Sequence, residues 1–244
     1  MAGKGMRFAS GKIIKFTDWN REYVRVDSKL QKRSPLPTIA SFDLLNPLDN
    51  SGNGYQVKQG GGQVQYWGLH YENGAKPSVT TLIKPGQGAV SFLTAFRLTA
   101  MNRYINIFSC RATGAGFNFY FSDQLLMAFI YPSGTPGTIA SGDVGRPELD
   151  TWYVASGVFD PVNRTASVRI GDLGLRFGNI GDSMPTNTTL DTALHIGGDP
   201  NGSTTSSMSG DIAFTAIYDG AFTTEQRDAM VSVGMEVLTD RGLI

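Results

Sequence analysis

The sequence predicts an all-β fold: two antiparallel sheets stacked as a sandwich, closed by one short C-terminal helix and preceded by an extended N-terminal arm. Three observations predict it. The 244 residues include 30 Gly, 14 Phe and 9 Tyr but only five Glu, a composition suited to strands and tight turns rather than long helices. Period-two alternation recurs at short intervals beyond residue 50. A single segment, after Thr223, repeats its apolar residues at helical spacing.

The first fifty residues read differently from the rest. Residues 12–16 and 23–26 each suit a short strand, and Ser34-Pro35-Leu36-Pro37 breaks regular structure. The polar stretch 46–54 reads as a linker, which divides the chain into a basic arm (1–50) and a sandwich domain (51–244). Residues 1–33 hold nine basic and three acidic groups, a net of +6, so the remainder carries −6. A basic arm on an acidic body is suited to docking on an assembly, through Lys12, Lys15, Arg21, Arg25, Lys32 and Arg33.

Within the sandwich domain each strand follows from alternation. In Tyr66-Trp67-Gly68-Leu69-His70-Tyr71, a strand would place Trp67, Leu69 and Tyr71 on the core face, and Tyr66 and His70 opposite. Val90, Phe92, Thr94, Phe96 and Leu98 alternate with Ser91, Leu93, Ala95 and Arg97. Cys110, the only cysteine, closes an apolar run and suits buried packing. Phe117, Phe119 and Phe121 share one face. Trp152, Val154, Ser156 and Val158 alternate with Tyr153, Ala155, Gly157 and Phe159. Asp160-Pro161-Val162-Asn163-Arg164 has hairpin-turn residues before the strand of Ala166, Val168 and Ile170. Ile212, Phe214, Ala216 and Tyr218 alternate with Ala213, Thr215 and Ile217. Thr223 with Gln226 forms a capping box, and Met230, Val233 and Val237 then define a helix expected at the sandwich edge.

The order of these elements resembles the concanavalin A-like jelly-roll superfamily, and within it the laminin G-like modules. The resemblance rests on Trp152, Ile196-Gly197, Gly210-Asp211-Ile212, Tyr218-Asp219 and Thr223-Thr224-Glu225, over about residues 88–235. It implies a lectin-like or glucanase-like sandwich, with calcium as the one cofactor family members often hold. Asp123, Asp143, Asp199 and Asn201 are the hard-oxygen candidates for such an ion, although Asp, Asn and Gly suit ordinary turns as well.

Catalytic chemistry has little support. The five Glu (Glu22, Glu72, Glu148, Glu225, Glu236) form no Glu-x-Asp-x-x-Glu strand, whose paired carboxylates glycoside hydrolysis would use. Glu148 and Asp150 flank a loop, His195 lies between two apolar residues, and no Gly-x-Ser-x-Gly elbow is present. One Cys and two distant His make no zinc site. Glycan binding would use aromatic faces beside amides and carboxylates, for which Tyr66, His70, Glu72 and Asn73 are the candidates.

The expected protein is therefore non-enzymatic: a structural or interaction component, of a phage virion in particular (head decoration, tail or fibre). Its arm over residues 1–45 would contact other structural proteins, in many copies or as a homo-oligomer. A carbohydrate-binding module is the alternative, and a glycan-active enzyme ranks last. No signal-peptide-like run opens the sequence and no apolar stretch approaches membrane-spanning length. The expected place is a virion or extracellular surface, with neither membrane nor nucleic acid as partner.

Overall fold

The computed structural model describes residues 5–7, 13–15, 28–45, 48–58, 60–72, 79–81, 83–85, 88–101, 104–110, 116–122, 125–131, 137–138, 147–171, 173–179, 192–198 and 208–244. In chain order, β1 (Gly5–Arg7) and β2 (Ile13–Lys15) pair as a ribbon, and α1 (Ser28–Lys32) leads into β3 (Thr38–Phe42). β4 (Gln63–Gln65), β5 (Gly68–Tyr71), β6 (Val79–Thr80), β7 (Val90–Leu98) and β8 (Tyr104–Ser109) follow. Next come β9 (Gly116–Ser122), β10 (Leu125–Tyr131), β11 (Gly137–Thr138), β12 (Trp152–Asp160) and β13 (Thr165–Ile170). β14 (Gly174–Asn179), β15 (His195–Ile196), β16 (Gly210–Asp219) and α2 (Thr224–Asp240) complete the chain. The expected strand at 23–26 lies outside the described residues.

Two antiparallel sheets stack face to face, as predicted. One has the order β14-β13-β12-β7-β16-β5-β4, with β3 also paired to β16; the other has the order β11-β10-β9-β8-β15-β6. Between them the phenylalanines interlock, because alternation sends Phe92 and Phe96 of one sheet toward Phe108, Phe117, Phe119 and Phe121 of the other. Phe92 lies 4.8 Å from Phe108 and 5.5 Å from Phe119, centroid to centroid, and Phe117 stacks on Phe159 at 5.0 Å. Tyr71 bridges the layers by donating its hydroxyl to the Ile196 carbonyl at 3.0 Å. Cys110 is buried as expected, and that burial pushes its thiol up to about 12.

α2 departs from expectation. It lies across the outer face of the larger sheet, over β7, β12 and β13, rather than at the sandwich edge. Leu93, Ala95, Val154, Val158 and Ala216 make that outer face apolar, so it needs a cover, and Met230, Val233, Val237 and Leu238 supply one. At Gly234 a methyl group would come within 2.6 Å of Val154 Cγ1, so the helix sits as near the sheet as a glycine allows. The predicted capping box is present: Gln226 N donates to Thr223 Oγ1, and Thr223 N to Gln226 Oε1. A bulge between Ile212 and Phe214 also corrects the alternation of β16, sending Ile212 into the inter-sheet core while Phe214, Ala216 and Tyr218 face the helix.

The sandwich also begins earlier than the expected division at residue 50. β3 pairs with β16, Ala40 and Phe42 are buried between the sheets, and Leu30 of α1 is buried under α2. Tyr218 donates its hydroxyl to the Leu30 carbonyl at 3.0 Å, which ties the segment down.

Truncating the ring at the centre of the inter-sheet core leaves a void that its neighbours cannot fill. Phe119→Ala is expected to destabilise the chain by about 3–5 kcal/mol, read as a lower urea midpoint at unchanged slope; a loss below about 1 kcal/mol would contradict this packing.

Candidate functional site

Where α2 ends, the outer face of the larger sheet changes from apolar to polar. The register aligns one residue from each of five neighbouring strands in a transverse row: Gln63 opposite His70, His70 opposite Asp211, Asp211 opposite Arg97, and Arg97 opposite Trp152. Cross-strand neighbours of this kind have Cβ atoms about 5 Å apart, close enough for direct bonds.

Asp211 is the centre of the row. Its side chain is 0% exposed, while those of His70 and Arg97 are 29% and 27% exposed. Oδ1 accepts the Trp67 indole N–H at 2.9 Å and bonds His70 Nδ1 at 2.8 Å. Oδ2 accepts Arg97 Nε at 2.8 Å and pairs with Nη2 at 2.6 Å. Four donors thus meet a buried carboxylate, which is how a charge can be taken out of water. Because an ionised carboxylate only accepts, His70 Nδ1 is the donor of this bond.

Two indoles complete the arrangement. The Arg97 guanidinium lies 5.6 Å from the Trp67 ring centroid and 5.1 Å from that of Trp152, so both aromatics hold it by cation–π attraction. Tyr66 and Trp67 form the two-residue turn joining β4 to β5, and alternation therefore does not carry through it. This corrects the expected core role of Trp67: its indole crosses β5 to reach Asp211 on the outer face, while Leu69 and Tyr71 enter the core as predicted. The turn sits tightly on β16, since a side chain at Gly68 would meet the Ile212 carbonyl oxygen at 2.1 Å. Tyr66 projects from this support, 77% exposed, with its ring at 79° to the Trp67 ring and 4.5 Å from it.

Of the proposed glycan contacts, Tyr66 stands in the turn that opens β5, His70 lies in the transverse row and Glu72 follows the far end of β5, where Gln63 Nε2 donates to Glu72 Oε1 at 3.4 Å. Asn73 lies outside the described residues, as do all four calcium candidates, Asp123, Asp143, Asp199 and Asn201. Among the described residues no group of three or more His, Cys, Asp or Glu is placed to hold a metal ion. Glu148 and Asp150 stand exposed at the turn before β12, whereas His195 belongs to the six-stranded sheet, so these three make no common site.

Of the arm residues, Lys12, Arg21 and Arg25 lie outside the described residues, and Lys15 ends β2. Lys32 is exposed at the end of α1. Arg33 bonds Glu236 of α2 at 2.5 Å and holds that carboxyl below its ordinary range. Lys29 beside it pairs with Asp240 at 2.6 Å, which raises its ammonium.

Sequence reasoning missed Asp211, Arg97 and Trp152 as members of one site. The available signal was a carboxylate embedded in an otherwise apolar strand, which needs a buried partner.

No protein-family model matches the chain, and no curated protein matches its sequence. Among solved structures it is similar to domain 4 of AbnA, a GH43 extracellular arabinanase from Geobacillus stearothermophilus, in complex with arabinotriose. That match has 15% identity, covers 80% of this chain and 98% of that one, and has a TM-score of 0.59. It is also similar to a Trypanosoma rangeli sialidase bound to 2,3-difluorosialic acid, at 13% identity and a TM-score of 0.61. There the match covers 82% of this chain and only 33% of the sialidase. At these identities the likeness is one of fold, a β-sandwich.

Removing the carboxylate tests how the row is held together. Asp211→Ala is expected to cost about 3 kcal/mol, the low end for breaking a buried pair because Arg97 and His70 keep contact with solvent. The paired replacement Arg97→Met with Asp211→Leu is expected to recover most of that loss in thermal or urea unfolding. A single variant as stable as the wild type would show that the row contributes nothing.

Proposed function

We propose that this chain is a carbohydrate-binding module whose contact surface is the Tyr66 tip and the outward face of the β4–β5 hairpin. The observation that carries the reading is the exposed Tyr66 ring, held by a Trp67 that Asp211 itself fixes. An aromatic ring so held loses little conformational freedom when a sugar stacks on it. Gln63, His70 and Glu72 of the same hairpin offer hydroxyl-bonding groups, and the similar arabinanase domain, solved in complex with arabinotriose, supports a saccharide ligand. The role is binding rather than catalysis: the Asp211 carboxylate is saturated by its own neighbours and has no free position for nucleophilic or acid–base work. Placement among the laminin G-like modules is part of the same proposal.

The test is a glycan array followed by calorimetry, with and without calcium. Tyr66→Ala is expected to lower affinity about tenfold, equivalent to about 1.4 kcal/mol, at an unchanged melting temperature. An array without hits under either condition would sink the reading.

A second reading rests on the charge asymmetry between residues 1–33 and the remainder. The basic N-terminal segment would attach many copies of the sandwich to a larger assembly, such as a phage virion or another extracellular surface. Since residues 28–42 are built into the sandwich, the attaching part is confined to residues 1–27. Deleting these is expected to abolish incorporation into the particle while the sandwich still folds; unchanged incorporation would exclude the idea.

A further inference from the structure

Resting on the glycan-binding reading, we infer that the saccharide taken at Tyr66 carries a carboxylate, and that Arg97 is the residue that reads it. A guanidinium presents two forked edges to hydrogen-bond acceptors, and Asp211 occupies only one of them. Nε and Nη2 of Arg97 are turned to Asp211 Oδ2, at 2.8 and 2.6 Å. The second edge, formed by Nη1 and the other N–H of Nη2, has no partner among the described residues. It is not sealed either: the side chain is 27% exposed, and the unpaired Nη1 reaches solvent.

The surroundings make this edge a recognition group rather than an ordinary solvated cation. Asp211 and the Trp67 and Trp152 rings, whose centroids lie 5.6 and 5.1 Å from the guanidinium carbon, hold the fork in place, so little side-chain freedom is lost when it binds. Trp152 is only 7% exposed, and beside the indoles a charge-assisted bond is stronger than in open water. Tyr66 and Arg97 both border the Trp67 ring, at 4.5 and 5.6 Å from its centroid. A sugar stacked on Tyr66 therefore has its substituents, or its next residue, beside the fork. A carboxylate accepts both N–H groups at once through its two oxygens, whereas one hydroxyl leaves a donor unmatched. Asp211 leaves the cation usable, because Trp67 and His70 supply two of the four donors it accepts.

The experiment is calorimetry of the full chain against matched saccharides with and without carboxylates: an α-1,4-linked galactose trisaccharide and its galacturonate counterpart, and lactose and sialyllactose. The carboxylated member of at least one pair is expected to bind about tenfold more tightly than its neutral partner. Arg97→Lys keeps a cation beside Asp211 but removes the fork, and is expected to abolish that preference. Where the lysine variant fails to fold, the paired replacement Arg97→Met with Asp211→Leu takes its place, with the same expected loss. Tyr66→Ala is expected to weaken both members of the pair alike. A neutral partner bound as tightly or more tightly in every pair, or a preference that survives loss of the fork, would overturn the inference while leaving glycan binding standing. Failure of every saccharide to bind would overturn both.

Discussion

Strands β7, β12 and β16 are buried on both faces, and that double burial organises the rest of the molecule. Their inward side chains meet the phenylalanines of the six-stranded sheet, and their outward ones meet α2. A sheet covered on one side only would leave Leu93, Val154 and Ala216 in water, so the helix completes the fold as a third layer. The two cores share their backbone: a shift of β12 against β7 would misplace Phe159 on one face and Val154 on the other. Arg227 of α2 marks how tightly the third layer is sealed, since its burial against the sheet lowers its affinity for its proton while Ser167 and Thr224 accept from it.

The candidate site is what this layering leaves uncovered. α2 ends at Asp240, and Arg241 caps the carbonyl of Ala213 just beyond it. Past that point Asp211, Arg97 and His70 take the outward positions of β16, β7 and β5, beside Trp152 of β12. A charge there needs internal compensation because Trp67 and Trp152 exclude water from its flanks. The result is a polar row whose groups bond one another, with Tyr66, Gln63, Glu72 and His70 at its rim.

Most of the sandwich was legible in the sequence because alternation and turn chemistry are local signals. Phe117, Phe119 and Phe121 could only share a face, and Thr223 with Gln226 could hardly cap anything but a helix start. The position of α2 was less evident, although the apolar residues on both faces of β7 and β12 record it: a strand with Leu93 and Ala95 on one side and Phe92 and Phe96 on the other has two surfaces to bury. Trp67 was misassigned because alternation fails inside a two-residue turn, and β16 because a single bulge reverses the faces after it. Tyr66, His70 and Glu72 were visible as an aromatic and polar cluster. Their partners Asp211 and Arg97 were not, since register between strands separated by more than a hundred residues is set by tertiary pairing and leaves no mark on the spacing of either segment.

β16 has a further consequence for how the chain reaches this state. It lies inside the larger sheet, bonded to β7 on one side and to β5 and β3 on the other, yet it is the last strand in sequence. Tyr218 closes on Leu30 across 188 residues, and Arg97 on Asp211 across 114. Without β16, the edges that β3, β5 and β7 present to it would stay unpaired, and α2, which seals the outer face, follows it in sequence. Loop closure on this scale is expected to make folding slow. One strand, β16, thus joins two parts of the larger sheet that come from well-separated stretches of the chain.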